Sequence, residues 1–375
     1  MGNIAVVHPN LGIRGGAEDV CMHTLEALQT DHSLTLVTLE RPNIRSLNEY
    51  FRTDVRQLNI QLAGHLGGKL REVAGHRLLR LQAALLGRYA RQHEDEFDLL
   101  VSTKNEFGLT PPTVQYIHSP QFASADPGID RVSLPRQVYD RVCSELASID
   151  TPTLQSATLL ANSEWTAGAV AEAYGVTAHT LYPPVDTTKF PSCPWDDREP
   201  GFLTVGRIGP SKRILQNINI VAALRDRGHD VHLHIVGPTT DGDYCEKVKA
   251  RAAKLEFVSV EGAVSSERLT ELIATHRYGI HGRPYEHFGI VVAEFVAGGA
   301  IPFAPNSGGQ REILHEDSRL LYESQADAVE KIDRVLSEPS LQADIRHTFE
   351  NTEFPFSREQ FKQRMATVVN EALKR

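Results

Sequence analysis

Cysteine is scarce in this chain. Cys21, Cys143, Cys193 and Cys245 are scattered, and no two of them form a C-x-x-C pair. That argues against a cysteine zinc site and a disulfide framework, and it fits a reducing cytoplasm. Positive charge is also short: the formal net charge of -9 argues against a general nucleic-acid binder, which needs a basic surface. No apolar run reaches the roughly 18 residues of a spanning helix. The start, MGNIAVVHPN, lacks both a basic stretch and a long apolar one, so no signal peptide is read. MGNIAV also lacks the Ser or Thr of a myristoylation signal. A cytoplasmic protein, soluble or attached at most to a membrane surface, is the expectation. No G-x-G-x-x-G follows the first strand, which disfavours a nicotinamide dehydrogenase.

What is present is a chain of 375 residues, 41% hydrophobic and 23% charged, enough for two domains with a core each. NIAVVHP reads as a strand, NLGIRGGAED as a glycine-bearing loop, VCMHTLEALQ as a helix and SLTLVTL as the next strand. This is the opening of a parallel α/β sheet. DLLVST, TVQYIH and ATLLANS read as further buried strands. The Pro-rich stretch from about 178 to 200 has no helical period and reads as a connection. Then the alternation restarts, with FLTVGRI, VHLHIVG, FVSVEG, YGIHG and IPFAP as strands. Runs this rich in Val, Ile and Leu suit sheets covered on both faces. The last stretch, SREQFKQRMATVVNEALKR, reads as an amphipathic helix capped by Ser357.

Ligands of such sheets bind beyond the carboxyl ends of the strands. That directs attention to the loop at 12–18, to His118, to 206–213 and to 281–290. GRIGPSK places Arg207 and Lys212 at a strand-to-helix turn, which suits phosphate; a solvated loop with two surface cations is the plain alternative. GIRGGAE is either a tight turn or a loop that brings backbone close to a ligand. EHFGIVVAE carries a carboxylate at each end, Glu286 ahead of a helix and Glu294 inside it. Five residues past Gly289, Glu294 lies about 7 Å along the axis. The N–H groups of Phe288, Gly289, Ile290 and Val291 then stand free between the two acids. A diphosphate on the amides with a sugar on each carboxylate matches that layout. The plain alternative is two solvated acids, against which Glu294 sits in an apolar run. DGD at 241–243 is read as a solvated loop, and no metal ligand set is read. Residues 69–91 hold six Lys or Arg against one Glu, with Leu78, Leu81, Leu85 and Tyr89 at helical spacing. An anionic membrane surface or an ordinary domain helix would account for them.

Taken in order over nearly the whole chain, these motifs resemble the GT-B glycosyltransferases of the retaining family 4. EHFGIVVAE has that family's E-x7-E form, and VGRIGPSK resembles its G-R-x4-K clamp. GIRGGAE, ANSEWTA, YPPVD and NSGGQREIL resemble other segments of it. Within the family, QYIHSP, ANSEWT and YEHFGI look most like mannosyltransferases that extend lipid-linked oligosaccharides. Tyr285 and Ala17 depart from that subgroup, which usually carries Asn and a third glycine there.

The resemblance implies an α/β fold of two Rossmann-like doubly wound domains facing a central cleft. It implies an acceptor-side domain at 1–182, a linker at 183–200, a nucleotide-sugar-binding domain at 201–355 and a helix at 356–375 crossing back. It implies that Arg207 and Lys212 hold the donor diphosphate, Glu286 the transferred sugar and Glu294 the ribose. Phe288, Gly289, Ile290 and Val291 would cradle phosphate and sugar, with Val264 completing the donor-binding set. Gly15 and Gly16 would approach the diphosphate, and His118 would stand beside the reacting carbon. The implied activity is metal-independent, cofactor-free and retaining, by front-face attack with the departing phosphate taking the acceptor proton. The donor would be GDP-mannose and the acceptor a glycan or polyprenyl-linked glycan. A UDP-sugar enzyme for glucose or N-acetylglucosamine, a nucleotide-sugar epimerase and a non-catalytic nucleotide-sugar-binding protein are the alternatives.

Overall fold

The computed structural model describes residues 1–63, 78–110, 112–122, 134–239, 242–352 and 354–374. The chain forms two units, Met1–Pro184 with Pro355–Arg375, and Val185–Phe354.

The first unit holds β1 (Asn3–Val7), β2 (Ser33–Thr38), β3 (Asn59–Leu62), β4 (Leu99–Ser102), β5 (Thr113–Ile117), β6 (Thr158–Ala161) and β7 (His179–Thr180). Their order across the sheet is β3-β2-β1-β4-β5-β6-β7, with every pairing parallel. The continuous apolar run of β1 has a direct cause. Ile4 and Val6 enter one core cluster, while Ala5 and Val7 enter another on the opposite face. A strand covered on both sides has no polar positions to alternate with.

The helix Arg358–Ala372 belongs to this unit. Ser357 Oγ accepts a hydrogen bond from Gln360 N at 3.3 Å, which caps it. Phe361, Met365, Val369 and Ala372 recur at intervals of four, four and three residues and lie in the cluster of Ile4, Val20 and Leu25. Burying each of the larger three is worth roughly 1.5–3 kcal/mol.

The second unit holds β8 (Glu199–Val205), β9 (Leu233–Val236), β10 (Val258–Gly262), β11 (His276–Ile280), β12 (Ile301–Pro305) and β13 (Leu321–Tyr322). The order is β10-β9-β8-β11-β12-β13, again all parallel. Both sheets therefore begin 3-2-1-4-5-6, the doubly wound order.

Two findings differ from the sequence reading, and a third bears on the basic segment. The edge strands β3, β7 and β13 carry no buried run long enough to be read as strands. The stretch read as a linker is docked on the second unit: Val185 is buried, Phe190 packs on the Leu203 and Val205 cluster, and Trp195 lies under Arg277 and Arg346. It has no helical period because it is held by side chains rather than by a helix. Finally, residues 69–77 of the basic segment lie outside the described residues. The rest forms the helix Leu79–Gln92, whose Ala83, Ala84, Leu86 and Ala90 enter the core. Of the apolar stripe, Leu81 and Tyr89 pack against that core, Leu85 is half-buried and Leu78 is exposed. Asp241 of DGD also lies outside the described residues, and Asp243 is exposed in a helix's first turn.

Candidate functional site

In a sheet of this order the two loops that diverge at the switch point leave a crevice. In the second unit these loops follow β8 and β11. Gly206 follows β8 with φ +146°, and a short turn, Pro210–Lys212, leads to the helix Ile214–Asp226. That turn carries Lys212 back over Gly206: a Cβ at position 206 would stand 3.3 Å from its side chain. From β11 come His281, Arg283 and Glu286. Lys212 Nζ lies 2.6 Å from Glu286 Oε2, His281 Nε2 lies 3.3 Å from the same oxygen, and Arg283 Nη1 lies 3.6 Å from Oε1.

Burial alone would raise the Glu286 carboxyl. The His281 contact and the Lys212 and Arg283 charges outweigh it and hold the group well below the usual carboxylate range. His281 is itself pushed down by burial, so its imidazole stays neutral. The backbone of Glu286 is clamped as well. Gly309 N donates to Glu286 O at 2.9 Å, and a Cβ on Gly308 would stand 2.3 Å from that oxygen. Arg207 is exposed and makes no ion pair among the described residues.

The helix Ile290–Ala297 starts at Gly289, whose φ of +102° suits glycine. Its first internal bonds run to Gly289 O from Val292 N at 2.8 Å and from Ala293 N at 3.2 Å. The N–H groups of Ile290 and Val291 therefore carry no bond within the helix. Phe288 and Gly289 are buried, and Val264 and Val291 pack on one apolar cluster. Glu294 is half-buried and meets Lys189 Nζ at 2.5 Å, a partner supplied by the stretch read as a linker. Lys212 and Glu286 are thus brought together, whereas Glu294 has a separate cation.

In the first unit the switch point lies between β1 and β4. Gly15 caps the helix Gly16–Leu28 in an extended conformation, φ -105°, so no left-handed turn demands glycine there. Its N–H donates to Glu18 Oε2 at 2.8 Å. Buried Glu18 also faces His8 Nε2 at 3.5 Å and Lys104 Nζ at 3.1 Å. Burial would raise its carboxyl, but those two partners hold it well below the ordinary range. His8 Nδ1 bonds Thr103 Oγ1 at 2.9 Å. His118 Nε2 donates to Thr103 O at 3.1 Å, which leaves Nδ1 with the lone pair. Burial, with the Lys104 charge, pushes His118 down to about 3, so it is neutral. The glycine loop and His118 are therefore tied into one hydrogen-bonded group through His8, Glu18, Thr103 and Lys104.

Sequence reasoning gave no role to His8, Glu18, Lys104, Lys189, His281 or Arg283. The available signal was position: four of them follow β1, β4 or β11 within a few residues.

Two Rossmann-like units in series, each with its charged groups at the switch point of its sheet, are the GT-B fold. Solved GT-B structures overlay the whole chain. Anabaena HepE, solved with UDP and glucose, has a TM-score of 0.69 at 16% identity, covering 99% of this chain and 100% of that one. WaaG, a glycosyltransferase involved in lipopolysaccharide biosynthesis, has a TM-score of 0.70 at 15% identity, covering 98% and 99%. Residues 185–351 match the model of the family described as glycosyl transferases group 1, and the second unit is a domain of that family. Curated relatives carry the name GDP-Man:Man(3)GlcNAc(2)-PP-Dol alpha-1,2-mannosyltransferase. The Dictyostelium discoideum protein is 26% identical over 243 residues, 58% of this chain and 48% of that protein. The Homo sapiens protein is 27% identical over 201 residues, 48% and 41%. The chain spans about half or less of the length of these relatives.

Proposed function

We propose that this protein is a retaining, metal-independent glycosyltransferase that moves mannose from GDP-mannose to a glycan or polyprenyl-linked glycan acceptor. The observation that carries the reading is the cluster of Lys212, His281 and Arg283 around Glu286, beside the free N–H groups of Ile290 and Val291. Cations and amides at one strand end suit a diphosphate. A carboxylate held ionised among them suits sugar hydroxyls. The names of the curated relatives support mannose and a lipid-linked acceptor.

In this reading donor binding replaces the Lys212–Glu286 ion pair. Lys212 and Arg207 take the diphosphate, and Glu286 takes the hydroxyls of the transferred sugar. Phe288, Gly289, Ile290 and Val291 line the phosphate and sugar, with Val264 beside them, and Glu294 takes the ribose. Negative charge grows on the diphosphate as the glycosidic bond breaks, so fixed positive groups aimed there lower the barrier. The phosphate oxygen accepts the proton of the incoming hydroxyl, which attacks from the face that the leaving group vacates. Gly15 and Gly16 serve the diphosphate, and neutral His118 serves the reacting carbon. A UDP-sugar, glucose or N-acetylglucosamine, is the second reading, supported by the UDP complexes among the structural neighbours.

Thermal shifts against GDP-, UDP-, ADP- and dTDP-sugars without metal test the donor. At about 100 times its dissociation constant the donor stabilises by roughly 2.7 kcal/mol. GDP-mannose is the expected hit, followed by mannose transfer to a polyprenyl-diphosphate-linked glycan. A hit with a UDP-sugar alone would replace the donor. Binding without transfer would favour a non-catalytic protein, and silence across the panel would overturn the site.

Membrane attachment through 69–91 belongs to the same reading. Among the described residues no helix is long and apolar enough to cross a membrane. The described part of the segment exposes Leu78, Leu79, Arg88 and Arg91. Vesicles containing anionic lipid are expected to retain the protein at low salt and release it at high salt. No retention at low salt would remove this part.

A further inference from the structure

We propose that the second unit binds a zinc ion at the end of its sheet opposite the charged cluster, through His232, His234, His276 and Glu199. All four stand where strands begin. Glu199 opens β8, His276 opens β11, His232 immediately precedes β9, and His234 is its second residue. Because β8 lies between β9 and β11, the sheet order gathers residues that are far apart in sequence. His232 and His234 are two residues apart at the start of β9, so they share a face. Each of the four offers one ligand atom, and these atoms all lie within 4.8 Å of one another.

Two of the spacings match a small tetrahedral ion, and the others, up to 4.8 Å, must close onto it. His232 Nε2 is 3.3 Å from His276 Nε2 and 3.3 Å from Glu199 Oε2, and His276 Nε2 is 4.0 Å from that oxygen. Zinc at 2.0–2.1 Å from each ligand sets tetrahedral edges of about 3.3 Å. Three imidazoles with one carboxylate is also a donor set that zinc accepts.

The hydrogen bonds around the cluster set the tautomers. His276 Nδ1 lies 2.8 Å from Leu272 O, and a carbonyl can only accept, so Nδ1 carries the proton and Nε2 the lone pair. His234 Nδ1 lies 2.7 Å from Glu261 Oε1, which leaves Nε2 as its lone-pair nitrogen too. Imidazoles that bind metal commonly donate their other N–H to a carbonyl or a carboxylate in this way. Without a cation, two imidazole nitrogens and a carboxylate oxygen converge with few protons to share.

The backbone makes room for this arrangement. A Cβ on Gly201 would stand 2.1 Å from His232 Nε2 and 2.4 Å from its Cε1, so the ring rests on a strand position without a side chain. His276 is fully buried while Glu199 is 54% exposed, so the cluster has a closed floor and an open rim through which an ion enters. The far end of β8 is about 20 Å away along the strand. The ion therefore acts as a pin across β9, β8 and β11 and takes no part in sugar transfer.

Equilibrium dialysis of the EDTA-stripped chain against zinc chloride tests the site. Binding of one zinc per chain is expected, with a raised Tm that EDTA reverses. His276 is in the core, so the variants are the more accessible His232→Asn with His234→Asn, and Glu199→Gln. The double variant should lose the zinc and the zinc-dependent Tm rise while keeping the stripped protein's own Tm. Glu261→Ala touches no ion but should weaken zinc binding by about 10–100-fold, because it removes the acceptor that holds His234 and frees the ring to turn. Cobalt(II) in place of zinc should give the visible absorption of a four-coordinate ion. Absence of stoichiometric zinc in the wild type, retention of it by the double variant, or a six-coordinate cobalt spectrum would each overturn the proposal.

Discussion

Lys212→Ala is expected to lower kcat/KM for the proposed sugar transfer by about 10²–10³-fold, equivalent to about 2.7–4 kcal/mol. Lys212 is the cation nearest Glu286, at 2.6 Å, and it lies over the end of β8, where the donor diphosphate is proposed to bind. Its removal acts twice. In the proposed reaction the growing charge on the leaving group loses a fixed partner, and among the described residues half-buried Glu286 keeps Arg283 at 3.6 Å and neutral His281. The second effect is a stability cost, since a buried carboxylate that loses its partner is poorly compensated. Arg207→Ala separates the two. Arg207 is exposed and has no ion pair among the described residues, so alanine there should slow transfer without lowering Tm. Steady-state kinetics beside thermal melts read both variants. Wild-type turnover in Lys212→Ala would remove this residue from the chemistry, and an unchanged Tm would remove it from the support of Glu286.

Gly237→Ala destabilises the second unit by about 2–6 kcal/mol, the sum of backbone strain and overpacking. Gly237 has φ +145°, and a Cβ there would stand 2.0 Å from Gly206 O and 2.6 Å from Gly206 C. Both neighbours are main chain and cannot rotate aside. The same place is laced by Gly206 N donating to Val236 O at 2.9 Å and Gly237 N donating to Gly262 O at 2.7 Å. A shift that relieves the clash therefore moves the end of β8 and the loop that carries Arg207 and Lys212. Donor affinity should fall together with stability. Gly168→Ala is the control, because nothing lies within 4 Å of a Cβ there and the residue sits inside the helix Glu164–Tyr174. It should stabilise by about 0.5–1 kcal/mol. Denaturant titration compares the pair, and similar midpoints for the two variants would refute the close approach.

The readable parts of the sequence are those fixed by neighbours along the chain. Strand β1 is legible because all of Ile4, Ala5, Val6 and Val7 are buried, which gives an unbroken apolar run. The spacing of Glu286 and Glu294 is legible because one helix start separates them. Lys104 and His8 were not, because what joins them to Glu18 is the adjacency of β1 and β4, a property of sheet order. The four residues from Glu199 to His276 were missed for the same reason, with β8 lying between β9 and β11. Lys189 was hidden differently: its stretch is polar and rich in proline, and only its docking on the second unit gives it Glu294 as a partner. The glycine loop reads as either a tight turn or a close approach of backbone to a ligand, and the structure shows Gly15 extended, with its N–H donating to Glu18.

The helix Arg358–Ala372 has a consequence for the order of assembly at the ribosome. It supplies Phe361, Met365, Val369 and Ala372 to a core whose other members begin at Ile4. The part of this core that precedes the second unit therefore waits for a helix made after that unit before its interior can close. Val185–Phe354 is continuous in sequence, and its own fold can be complete while the earlier segment is still open. At 5–20 residues per second those 170 residues take roughly 10–30 s to make. Through that interval the apolar seat for Phe361 and Met365 lacks the helix that covers it in the folded chain.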